Sequence, residues 1–105
     1  MGSEYRAARR MSTEEAQRIA IAALAYLAND EALLTRFISV TGIAPGDMRA
    51  AAGSPEFLAG VLDFILGHEP DAVAFAQELG VPPEDVGRAR VELLGGTDPD
   101  PWTST

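Results

Sequence analysis

The sequence predicts an all-α fold, a compact bundle of five to six short helices in a single domain. Three observations point there. Residues 19–28 read Ile-Ala-Ile-Ala-Ala-Leu-Ala-Tyr-Leu-Ala, ten apolar side chains with no polar break. Nearly every later break carries its own helix stop or start signal. No segment shows the two-residue alternation of a half-buried strand. The ten-residue run is too short to cross a bilayer, which takes ~20 residues. It is apolar all round, whereas a surface helix needs only one apolar stripe. It is therefore expected to be the hub of the fold, enclosed by other helices or by a second subunit.

Each element has local reasons. Ser12 with Glu15 fits a capping box, which starts a first helix at Thr13 that runs to about Leu27. Ala16, Ile19, Ala20, Ala23, Leu24 and Leu27 line one face of it, and Ile21 and Ala25 make a second apolar face. Asn29 and Asp30 can cap a second helix carrying Leu33, Leu34, Phe37, Ile38 and Val40, and Gly42 can end it in the left-handed conformation. A short third helix is expected from Pro45 to Ala52, because the fixed φ of proline suits a first turn. Ser54-Pro55 opens a fourth, with Phe57, Leu58, Val61, Leu62, Ile65 and Leu66 on a broad face. Pro70 is expected to begin a fifth, stopped by Gly80, and Pro82-Pro83 a sixth, with Val86, Ala89, Arg90, Leu93 and Leu94. The domain spans 11–96. Residues 1–10 read as a flexible basic tail and 97–105 as a flexible C-terminal tail holding Trp102.

Composition narrows the functional classes. A chain of 105 residues fits one core. The apolar share of 47% is too high for a disordered chain. Absence of cysteine removes disulfides and thiolate metal sites. All eight basic residues are arginine; residues 1–53 hold six of them against six acids, and residues 54–105 two against ten, so the net −8 sits in the second half. A field of that sign repels phosphate backbones and anionic lipid. The N-terminus has no signal-peptide apolar region, which predicts a soluble, cytoplasmic protein.

The apolar and punctuating residues resemble a family of small bacterial proteins known only as a domain of unknown function. The matching pieces are Ala16, Ile19-Ala20, Ala23-Leu24 and Leu27-Ala28, then Arg36-Phe37, Thr41-Gly42, Pro45, Asp47 and Arg49. The most specific is Pro55-Glu56-Phe57-Leu58 followed by Val61-Leu62-Asp63-Phe64, and Glu69, Phe75-Ala76 and Ala89-Arg90 complete the set. The resemblance covers about residues 12–95. It implies a compact helical domain in the bacterial cytoplasm and no activity, cofactor or catalytic residue.

Groups with chemical capability are few. His68 is the sole histidine, with no second one at metalloprotease spacing. Near a helix C-terminus its charged form is favoured by the macrodipole, a structural role. Asp63 interrupts an apolar helix, and an ion pair with Arg36 or Arg49, or a contact with a partner, would explain it. Glu14-Glu15 and Glu84-Asp85 sit in first turns, where they stabilise helices. The segment from Phe37 to Arg49 has a helix-turn-helix flavour, which keeps a DNA-binding regulator as the alternative. Arg49 is its only cation, however, and DNA affinity comes mostly from cations on phosphates. Ile21 and Trp102 are candidate partner contacts. The expectation is a non-enzymatic protein-interaction module, an adaptor or regulator, with no cofactor or metal. It would meet an unknown protein partner, self-associate as a weak homodimer, and contact neither nucleic acid nor membrane.

Overall fold

The structure, a computed structural model, describes residues 11–95 and folds them into six α-helices with no strand among the described residues. The expected tails, 1–10 and 97–105 with Trp102, lie outside those residues. Helix α1 is Thr13–Ala28, α2 Glu31–Thr41, α3 Met48–Ala51, α4 Pro55–Leu66, α5 Glu69–Leu79 and α6 Pro83–Leu93.

Local chemistry sets the ends. Ser12 Oγ accepts from Glu15 N at 3.0 Å, and Asp30 Oδ1 accepts from Leu33 N at 3.1 Å. Ser54 Oγ does the same for Phe57 N at 3.3 Å. Each satisfies one of the N–H groups a helix start leaves free. At Ser12 only this half of the capping box forms. Gly42 (φ 73°) and Gly80 (φ 85°) close α2 and α5 in the left-handed region, where a β-carbon is penalised.

Two starts differ from the sequence expectation. Pro45–Asp47 is a 3₁₀ turn, and the α-helix begins only at Met48. Ala44 ahead of it has no side-chain acceptor to hold the first N–H groups, and tight turns are frequent at such ends. Helix α5 begins at Glu69, one residue before Pro70. Proline is tolerated there because its missing N–H falls among those left free in a first turn.

Helices α1, α4 and α6 pack most closely and enclose the core. Ala16, Ala20 and Ala23 of α1 have no exposed surface, so the neighbouring helices lie against a smooth face. Val61, Leu62 and Ile65 of α4 and Val86 and Ala89 of α6 fill the space between. Burying a Val, Leu or Ile side chain stabilises by ~1.5–3 kcal/mol. Helix α2 packs on α1 through Leu33 and Phe37, and the Phe37 ring meets Phe64 at 5.3 Å and Phe57 at 5.9 Å, both edge-on. Helix α5 adds Ala72, Phe75 and Ala76. Polar links join the outer surface of the triad. Arg90 Nε of α6 meets Asp63 Oδ1 of α4 at 2.9 Å, and Thr13 Oγ1 of α1 donates to Glu92 Oε2 of α6 at 2.7 Å.

The expectation of an enclosed α1 holds for one face only. Ile21 is 51% exposed, Ala25 and Ala28 are exposed, and Leu24 is half-buried. The reason is geometric: α4 and α6 cover one side, and α5 touches α1 only lightly on the other. Val40 in the last turn of α2 and Leu94 beyond α6 were expected among apolar contacts, but they are 70% and 51% exposed.

Candidate interaction surface

Where α5 meets the open side of α1, an open cleft of about 300 Å³ forms. Ala22, Ala25, Tyr26 and Asn29 line it from α1, and Phe75, Glu78 and Leu79 from α5. The helical period explains the set. Ala22, Ala25, Tyr26 and Asn29 recur at steps of three and four, as do Phe75, Glu78 and Leu79, so each group shares a face. Ile21, one turn before Ala25 on α1, is exposed and lies outside the lining. The Tyr26 ring tilts 60° against Phe75 at 5.4 Å. That contact anchors the body of the tyrosine against α5.

The rim is acidic. Burial pushes the Tyr26 phenol above its ordinary 10.0, and the charges of Asp71, Glu78 and Asp30 push it the same way. A phenolate there would leave water and sit among like charges. Asp71 lies one turn before Phe75 on α5, and Asp30 follows Tyr26 by four residues at the start of α2. None of the described arginines pairs with these carboxylates: Arg88 meets Asp85 at 3.6 Å and Arg90 meets Asp63. Asp71 Oδ2 lies 2.8 Å from His68 Nδ1.

Asp63 does form an ion pair, but with Arg90, not with Arg36 or Arg49, which make no ion pair among the described residues. The physical reason is the packing of α6 along α4, which carries Arg90 to the outer side of α4. Asp63 and Arg90 stand in separate pieces of the family resemblance and meet in space. His68 lies at the N-cap of α5, past the end of α4, with Asp71 as its partner. The turn Thr41-Gly42-Ile43 leads through the 3₁₀ turn into α3, a single turn carrying Arg49. Ile21 stands exposed beside the cleft, and Trp102 lies outside the described residues. Among the described residues no three His, Asp or Glu side chains gather as metal ligands, and no helix is long and apolar enough to cross a membrane.

The cleft is not legible in the sequence. In the sequence Tyr26 reads only as part of the oily run, and Glu78 as an isolated carboxylate. One signal was present: a tyrosine at the end of an apolar face, with Asp71, Phe75 and Glu78 spaced by four and three.

The fold and surface define a small all-helical domain with an acid-rimmed apolar cleft between α1 and α5. The chain belongs to the family described as a protein of unknown function, DUF3572, whose model matches residues 13–96, well over half its length. Neither a curated protein nor a solved structure matches it.

Proposed function

We propose that this protein is a non-enzymatic interaction module, an adaptor or regulator that works by binding another protein in a bacterial cytoplasm. The observation that carries this reading is the second apolar face of α1, where Ile21 and Ala25 stand open beside a cleft that already holds Tyr26, Phe75 and Leu79. Single exposed apolar residues are ordinary, whereas apolar residues grouped around a concavity mark contact sites. Large aromatic side chains at such places supply most of the contact energy in protein interfaces.

The test is a pull-down from the native cytoplasm with the tagged full chain, run beside Ile21→Asp. Wild type is expected to retain a defined set of proteins that the variant loses while its melting temperature stays unchanged. Identical recoveries from the two chains, or nothing retained by either, would remove this reading.

A further inference from the structure

The cleft between α1 and α5 combines two features that specify a ligand chemistry together. Its walls are apolar and close: Ala22 and Ala25 project little, Leu79 is 37% exposed, and Phe75 backs the Tyr26 ring. A volume near 300 Å³, open to solvent, is at the lower limit of small-molecule sites and suits one or two inserted side chains. Glu78 lines it, Asp30 follows the lining residue Asn29 directly, and Asp71 stands one turn before Phe75 on α5. Asp30 uses Oδ1 to cap α2, and Asp71 faces His68. Glu78 has neither an ion pair nor a side-chain hydrogen bond among the described residues. Negative charge is thus gathered beside apolar surface without a balancing arginine.

We propose, resting on the interaction-module reading, that this cleft takes a cationic amphipathic segment of a partner protein. One apolar side chain seats between Tyr26 and Leu79, and a neighbouring arginine or lysine is held by Glu78 and Asp30. A cation beside the exposed Glu78 carboxylate makes a charge-assisted hydrogen bond that fixes the segment's orientation, while the seated apolar side chain supplies the burial. An acidic segment would meet repulsion in the same place. A second copy of this chain is a poor occupant, because a two-fold contact sets each patch against itself and would bring like carboxylates together.

The experiment pans phage-displayed random dodecapeptides against the immobilised full chain. Enriched sequences are expected to hold a Leu, Met or aromatic residue within about four positions of an Arg or Lys, the reach of one helical turn. Synthetic copies of them should shift the amide resonances of Ala22, Ala25, Tyr26 and Glu78. Glu78→Arg should weaken their binding by about tenfold or more, a loss expected of a close charge pair. Glu56→Arg, the same change in net charge in the first turn of α4, should leave it unaltered.

Enrichment of acidic or purely apolar peptides would overturn the proposal, and so would equal weakening by the two charge reversals. So would a dimer in sedimentation that Ile21→Asp dissolves, because a second copy would then occupy the cleft. If no peptide is enriched while the pull-down still recovers an Ile21-dependent partner, this proposal alone falls. If both experiments return nothing, the interaction-module reading falls with it.

Discussion

The two faces of α1 are alike in composition and opposite in fate. Ala16, Ala20, Ala23 and Leu27 have no exposed surface. Ile21, Ala25 and Ala28, on the same helix and just as apolar, face solvent. Apolar character says what a face can do; the neighbours decide what it does. Helices α4 and α6 close over the first face, and α5, which touches α1 lightly, leaves a cleft at the second. Folding uses the first face and leaves the second open to solvent.

The contrast is broken most severely by placing a charge on each face in turn. Leu27→Asp should abolish folding, since an unpaired buried charge costs several kcal/mol against a total stability of ~5–15 kcal/mol. Circular dichroism should show lost helicity and no cooperative melt. Native melting in this variant would mean the buried face is dispensable.

Tyr26, between the two faces, makes the contrast depend on pH. Its folded pKa lies above the unfolded 10.0, so the folded state holds the phenolic proton where the unfolded state has lost it. The associated stability is complete below 10.0 and declines as pH rises through the folded value. Absorbance titration of the phenols should show one component above the ordinary range, absent from Tyr26→Phe. That variant should also keep more of its stability on alkaline denaturation. A Tyr26 that titrates at the ordinary value would place it in open water.

The outer links should matter less. Asp63 and Arg90 are 64% and 37% exposed, and exposed pairs contribute ~0–1 kcal/mol. A double-mutant cycle with Asp63→Asn and Arg90→Gln should find coupling in that range, and salt should reduce it. A coupling of several kcal/mol would mean the pair, not the α1–α4–α6 core, fixes how α4 and α6 meet. The smallest effect is expected on the open face. Ile21→Asp should change stability by no more than ~0.5 kcal/mol in a urea melt, as exposed substitutions do. A loss comparable to that of Leu27→Asp would erase the distinction.

The sequence revealed what is decided locally. Ser12, Asp30 and Ser54 cap their helices through bonds spanning three residues, and the glycines at 42 and 80 stop theirs by backbone conformation. Such signals need no knowledge of the fold. The partner of Asp63 was not legible. Arg49 is nearer along the chain and Arg36 as near, and only the packing of α6 on α4 brings up Arg90. The exposure of Ile21 was hidden for a similar reason, because a helix with two apolar faces does not announce which one its neighbours leave bare. The acid rim needed three elements to converge, since Asp30, Asp71 and Glu78 lie on α5 and at the start of α2 around a tyrosine of α1. No single stretch of sequence contains it.

Thiol reactivity tests the two-faced helix most directly. The chain has no cysteine, so Ala23→Cys and Ala25→Cys each supply a lone probe, two positions apart on α1. With a chromogenic disulfide reagent, the thiol at position 25 should react like one in free solution. The thiol at position 23 should react at least ~100-fold more slowly, at a rate set by opening of the fold. Equal rates, or protection at position 25, would contradict a helix with one closed and one open side.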